Sequence, residues 1–441
     1  MLRNWSQMSK SRQPDARIFF FVAKVCAIII PLIFISCNDK DDLGPAPVIR
    51  SFGPSSGIIG THVTIRGDQF IPAFSPDSSR QPNTSIITFN GTTAVAEYVH
   101  QDSIGKQRIN TMVPIGATSG KITATANGIT VSSADDFIIT VPTYLPNVTV
   151  STVADYGGID VAIDSKGNLY IANNDLFEIV KIIPDGTRTT LLSTRNDTNR
   201  GAPLGITVDT DGNVYATVGN TIRKIFPDGT VMVLAGSVSA DFGYADGQGA
   251  EARFSIPFGI TVDDSGTVYV ADLLNYKIRK ISPDGTVSTL AGSTSGFTDG
   301  QGTSAQFGFP FDVALDGVGN IYVTDGKIRK VTSNGLVTTV AGSTSGYLDG
   351  SIANAQFNGP RGIIFDPAGN LYICDSGNFV VRRIAPDGTV VTVAGTTFGN
   401  IDGPGSSAKF GQTLGLAMDA TGAFYLTQGG GLCCIRKIVI N

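Results

Sequence analysis

Histidine is the scarcest chemically useful residue in this 441-residue chain: there are two, His62 and His100. Everything beyond His100 therefore lacks the commonest general base, and zinc sites built on histidine and a Ser-His-Asp arrangement are excluded there. Tryptophan occurs once, as Trp5, so a sugar site further along would have to stack on tyrosine or phenylalanine. The five cysteines show no Cys-x-x-Cys spacing, which removes that metal and redox signature. Charge is thin, at 16% of residues. The first 36 residues carry Arg3, Lys10, Arg12, Arg17 and Lys24 against Asp15 alone, and the remaining 27 basic and 36 acidic residues leave a net charge of −9. Phosphate contacts need clustered Lys and Arg, so general nucleic-acid binding is not expected, although a local basic patch stays open. Glycine is plentiful, with 53 residues, as many tight β turns require.

Those glycines sit in a repeat whose clearest copy runs from Pro257 to Gly292, PFGITVDDSGTVYVADLLNYKIRKISPDGTVSTLAG. Four short apolar runs are broken by Asp-Asp-Ser-Gly, a polar loop and Pro-Asp-Gly, which reads as a four-stranded antiparallel meander. Aligned copies begin at Asp160, Gly205, Gly259, Asp312, Gly362 and Gly415, in steps of 45, 54, 53, 50 and 53 residues. Each holds an Asp-x-x-Gly turn (Asp164, Asp209, Asp263, Asp316, Asp366, Asp419) followed by a tyrosine (Tyr170, Tyr215, Tyr269, Tyr322, Tyr372, Tyr425). Periods of this size with four strands indicate a propeller, here of six blades. The last copy stops after its third strand, and the missing Thr-Val-x-Thr-Val-Ala pattern stands before the first copy at 148–154. That segment is expected to complete blade 6 and close the ring, removing exposed sheet edges.

Over residues 147–441 the pattern resembles the NHL-repeat β-propellers, including connectors of the form Ala291-Gly292…Gly296-Phe297-x-Asp299-Gly300-x-Gly302…Ala305-x-Phe307…Pro310. Blade 1 departs, with a short connector and Val180 where other copies carry arginine. Upstream, short alternating segments at 62–66, 85–89, 94–99, 108–113, 120–126 and 137–140 suggest about seven strands of an immunoglobulin-like sandwich. Pro54…Gly57…Gly60-Thr61…Val63-Thr64-Ile65…Gly67…Phe70, with Val113-Pro114 and Asp136-Phe137-x-Ile139, are similar to the IPT/TIG family over 45–141. That resemblance implies a spacer or protein-contact module. The fold class expected is all-β: sandwich, a Pro-containing linker at 142–146, then propeller. The Ser/Pro-rich stretch 74–84 reads as an insertion.

At the N-terminus a basic segment precedes the apolar run Ile18–Ile35, then Ser36-Cys37 and Asn38-Asp39-Lys40-Asp41-Asp42. Length alone would permit a membrane span. The order resembles a cleaved bacterial lipoprotein signal over 1–36, with Phe34 where that signal usually carries leucine. It implies Cys37 as the lipidated first residue, a membrane partner through that lipid, and an acidic tether at 37–44. The acidic run is similar to the export tag of surface lipoproteins of certain Gram-negative bacteria, which implies an outer-membrane, surface-exposed location. Met8 is an alternative start. Cys374, Cys433 and Cys434 remain, and a bridge from Cys374 to either, or buried thiols, both stay open.

Candidate sites follow from propeller geometry, which puts the inter-blade connectors and the loops between second and third strands on one face. The starts of the inner strands ring the channel mouth there. Phe258, Phe311, Asp312 and Arg361, from consecutive blades, form a candidate ligand patch, with Asp160 across the ring. The alternative is that Asp312 and Arg361 pair and the phenylalanines plug the channel. The connectors add Tyr244, Phe297, Tyr347 and Phe398, near Asp246, Asp299, Asp349 and Asp402. One carboxylate per connector is too few for calcium, so those turns read as structural. The third-strand arginines Arg223, Arg279, Arg329, Arg382 and Arg436 read as scaffold, paired with acids such as Asp272, Asp325 and Asp375. No metal, cofactor or catalytic residue is expected. The functional expectation is a non-catalytic surface protein binding an extracellular glycan or protein on the connector face. The alternatives are a carboxylate- or metal-dependent hydrolase or lyase of the six-bladed type, and a purely structural surface component.

Overall fold

The computed structural model describes residues 46–59, 61–70, 80–82, 85–101, 106–126, 128–196, 201–239, 242–429, 431 and 434–441. The leader, Cys37, the acidic tether, most of the 74–84 stretch and Cys433 lie outside the described residues.

The sandwich is built from alternating apolar positions that meet between two sheets. One sheet orders Val48–Gly53, His62–Asp68, Gln107–Met112, Ala96–Gln101 and Arg80–Pro82; the other orders Ser56–Gly57, Ile129–Ile139, Gly120–Ala126, Ile86–Phe89 and Thr92–Ala94. Val63, Ile65, Ile87, Phe89, Ile109, Ile122 and Phe137 fill the space between them. The expected single strand at 94–99 is two strands in different sheets, because the chain crosses over at the exposed Val95.

Beyond the linker stand six antiparallel sheets, the blades. In every blade the aspartate of the Asp-x-x-Gly turn accepts the backbone N–H four residues on. In blade 5 one oxygen of Asp366 accepts the Asn370 N–H at 2.8 Å and the other accepts the Asn370 side-chain amide at 2.7 Å and the Tyr372 hydroxyl at 3.2 Å. Gly369 supplies the left-handed residue, with φ +83°, that this turn needs. Closure is as expected: Val148–Ala154 pairs antiparallel with Ile435–Ile440 as the outer strand of blade 6, Val150 opposite Ile438. Val148 and Val150 are buried among Phe410, Leu426 and Ile438.

In blades 3 to 6 the preceding connector lays one more two-residue strand on the outer edge: Gly247–Gln248, Gly300–Gln301, Gly350–Ser351 and Gly403–Pro404. Blade 5 carries more. The linker brackets Thr392, with the Thr392 N–H donating to Thr143 O at 3.0 Å and the Leu145 N–H to Thr392 O at 2.9 Å. The sandwich reaches the same blade. The Ser55 N–H donates to Ser345 O at 3.2 Å, and the Ser56 hydroxyl to Tyr347 O at 3.3 Å and to the Gln356 side chain. The expected spacer is thus hydrogen-bonded against blade 5.

Candidate functional site

All six inner strands line a channel of about 240 Å³, apolar except for Thr207, Thr261 and two carboxylates, Asp160 and Asp312. These start the inner strands of blades 1 and 4, where the other four blades have glycine. The reason is local. Oδ1 of Asp312 accepts the Val313 N–H at 2.8 Å, while Oδ2 crosses to the Ile363 N–H of blade 5 at 3.0 Å. Asp160 does the same with Val161 and with Ile206 of blade 2, both at 2.9 Å. On the other side each carboxylate lies where the neighbouring glycine has no side chain: a Cβ on Gly259 would sit 2.3 Å from Asp312 Oδ1, and one on Gly415 2.2 Å from Asp160 Oδ1. The two aspartates therefore tie inner strands in two groups of three blades. Burial pushes the Asp160 carboxyl up to about 7. Burial, reinforced by the charge of Asp160, raises Asp312 well above the ordinary range. The two carboxylates lie across the ring yet share one channel and feel each other. With both oxygens of each held by backbone N–H groups, they are joints between strands before they are acid or base.

The mouth on the connector side corrects the expected ligand patch. Phe258, Phe311, Asp312 and Arg361 do come together, but the space among them, with Ile159 and Leu414, is about 10 Å³, no more than one water. Phe258 and Phe311 meet edge to face at 5.7 Å, and the Arg361 guanidinium covers the Phe311 ring at 4.9 Å. The phenylalanines plug the channel. The alternative Asp312–Arg361 pair is not among the ion pairs of the described residues: the Arg361 guanidinium lies over the Phe311 ring.

The repeated arginines are buried clamps. Arg279, Arg329 and Arg382 each bind the aspartate ending the second strand (Asp272 at 2.7 Å, Asp325 at 3.0 Å, Asp375 at 3.0 Å) and the connector aspartate (Asp246 at 2.7 Å, Asp299 at 2.6 Å, Asp349 at 2.6 Å). Arg436 holds Asp402 at 2.5 Å and Asn400 at 2.8 Å. The connector phenylalanines Phe254, Phe307, Phe357 and Phe410 lie against the guanidinium groups at 4.9–5.4 Å. The connector acids, whose turns read from sequence as structural, are second arms of these clamps. Cys374 and Cys434 are free, buried thiols, so no bridge joins those two.

The connector aromatics separate into three cases. Tyr244 and Phe297 are 50% and 48% exposed, folded back toward Lys277 and Lys327 of their own blades at 4.4 and 5.4 Å. Tyr347, the equivalent residue in blade 5, is 1% exposed because the sandwich and linker cover it. Phe398 is out of register: it bridges to Phe410 as Ser295 does to Phe307 and Ser345 to Phe357, so Asn400 occupies the aromatic position in blade 6. Its spacing of four residues from Asp402, against two in the other connectors, was the available signal. Three further aromatics were missed. Phe309 is 45% exposed and stacks on Tyr276 at 5.5 Å, and Phe379 meets Phe398 at 5.5 Å. Tyr276 and Phe379 are left-handed residues, at φ +55° and +59°, in the equivalent loop of blades 3 and 5. That repetition could have found them.

A further cavity, of about 380 Å³, lies on the opposite face between the turns of blades 2 and 3, among Asp209, Asp211, Asp263, Asp264, Lys224 and Tyr215. Asp209 and Asp263 already bind the N–H groups of their own turns. Among the described residues no group of three or more His, Cys, Asp or Glu is placed to hold a metal ion.

Residues 47–139 match the IPT/TIG domain family. Among solved structures, a protein of unknown function from Bacteroides thetaiotaomicron superposes with a TM-score of 0.53 at 18% identity, over 90% of this chain and 98% of that one. Two auxiliary nutrient binding proteins, from Bacteroides thetaiotaomicron and Bacteroides ovatus, superpose with TM-scores of 0.51 at 17% identity, over 90% of this chain and 98% and 99% of theirs. At these identities the likeness is one of fold. The chloroplastic Protein SUPPRESSOR OF QUENCHING 1 of Arabidopsis thaliana is 38% identical over 86 residues, which span 19% of this chain and 8% of that protein.

Proposed function

We propose that this chain is a non-catalytic cell-surface lipoprotein whose NHL-type propeller binds an extracellular ligand, a glycan or a protein, on the connector face. The observation that carries the reading is the contrast within one repeated position. Tyr347 is buried under the sandwich and linker, while Tyr244, Phe297, Phe309 and Phe398 stand about half exposed. Exposed aromatics gain from being covered, and one of the repeated positions already is. The auxiliary nutrient binding proteins of similar fold fit this reading. In it, lipid on Cys37 anchors the chain at the outer membrane, and the sandwich holds the propeller off the bilayer.

The hydrolase or lyase alternative loses ground, since the two channel carboxylates are committed to backbone N–H groups and the propeller sequence has no histidine. A glycan and peptidoglycan array, with and without calcium, tests the proposal when probed in parallel with Phe297→Ala, Phe309→Ala and Phe398→Ala. Binding that all three weaken supports it. Binding that none of them alters, or turnover of an arrayed sugar, refutes it.

A further inference from the structure

The outer edges of the six blades are not treated alike. Four of them seat an extra strand, and a valine marks each seat. Val287, Val337, Val390 and Val150 each lie in an outer strand that receives a connector strand, and all are at most 4% exposed. Two residues further on, Thr289, Thr339, Thr392 and Thr152 donate their hydroxyls to the connector aspartates.

Blades 1 and 2 are four-stranded, and none of the described residues pairs with their outer edges. Blade 1 answers that exposure with charge, since Arg188, opposite Ile182, takes the seat of the valine. A charged side chain is the usual guard on an open edge. Blade 2 has no such guard. Its outer strand, Val231–Ala235, keeps the valine and replaces the threonine with Val233. Val231, Met232 and Val233 are 38%, 39% and 40% exposed, and the strand carries no charge.

This edge is built to be covered, and the chain shows by what. Every other occupied edge takes extended polypeptide: connector segments in blades 3 to 6, and the linker in blade 5. The seat in blade 2 has lost the hydroxyl that a connector aspartate would bind and gained apolar surface. The occupant is therefore an uncharged, apolar strand. We propose that this occupant is the same strand of a second copy, so that Val231–Ala235 of two chains pair antiparallel across a two-fold axis. A strand without charge can oppose its own copy with no like-charge contact, whereas the Arg188 edge would bring two arginines into the interface. Blade 2 also lies across the six-blade ring from blade 5, where the sandwich is hydrogen-bonded, so neither sandwich stands in the way.

Sedimentation velocity on the full chain in mild detergent, over a wide range of concentration, tests this. The expected result is a monomer–dimer equilibrium. Val231→Arg, which copies the guard of blade 1, should weaken dimerisation about tenfold or more, because it buries a charge against its own copy. Hydrogen exchange at 231–233 should slow with concentration in the parent chain and not in the variant. A circular-dichroism melt establishes that the variant folds; should it not, Val233→Lys takes its place. A chain that is monomeric at every concentration overturns the proposal. So does a dimer that these substitutions leave intact, or exchange at 231–233 that ignores concentration.

Discussion

Replacing Arg382 with valine is the sharpest test of how the blades are held. Its guanidinium is fully buried and binds Asp349 and Asp375, donates to Gln356 O and Leu348 O, and lies between the rings of Tyr347 and Phe357. Removing it leaves Asp375, itself fully buried, without its counter-charge. Breaking a buried pair on one side costs about 3–5 kcal/mol. Blade 1 is a natural control: Val180, opposite Ile171, stands where Arg382 stands opposite Ile373, and Asn173 stands where Asp375 does. Asp375→Asn alone leaves Arg382 held by Asp349 and should cost about 1–3 kcal/mol. The double variant rebuilds the blade 1 pair, so it should lose less than the two single losses together, with a coupling of about 1–3 kcal/mol.

The pH dependence carries a sign. With the arginine present, burial still raises the Asp375 carboxyl from 3.8 to about 6, so the folded state holds that proton more tightly than the unfolded chain. The stability this contributes is complete below 3.8 and is lost as pH rises through about 6. Without the arginine the carboxyl rises further. The deficit of Arg382→Val should therefore be greatest near neutrality and shrink on acidification. Urea unfolding followed by circular dichroism measures all of this, since Trp5 lies in the expected leader and offers no useful fluorescence. A deficit below about 1 kcal/mol, additive losses, or a deficit that ignores pH would refute the clamp.

Deleting 148–153 removes the outer strand of blade 6 and exposes Ile438, so the melting temperature should fall sharply; an unchanged melt would sink the closure. Asp160 is raised to about 7, and Asp312 is raised as well, so the stability they lend at low pH is lost as pH climbs through neutrality. Asp160→Asn with Asp312→Asn should make the melting temperature fall less between about pH 5 and pH 8, leaving the part that Asp375 contributes. An unaltered slope would mean that the channel carboxylates do not titrate there.

Much of the propeller could be read from residue order, because its repeat rests on contacts within a few positions. Asp366, Gly369, Asn370 and Tyr372 make a turn that closes on itself, and the Asp-x-x-Gly part of it, repeated six times, counts the blades. The closing strand was legible because a pattern missing at one end stood at the other. The pairing of Arg279, Arg329 and Arg382 with the acids that end their second strands followed from repetition across one sheet. The candidate site was less legible. Phe258, Phe311, Asp312 and Arg361 are expected to meet, but whether four side chains leave a pocket or fill it depends on ångström-scale packing across blades, which no local pattern encodes. Phe398 stands two positions earlier than Phe297 and Tyr347 in a connector of the same length, and ladder pairing with Phe410 set its place. Tyr347 looked like its siblings until a sandwich almost 300 residues away in sequence covered it. Local hydrogen bonding thus specified the blades and their number. Burial at the channel mouth, at blade 5 and along the blade edges depended on which distant surfaces the closed ring brought together.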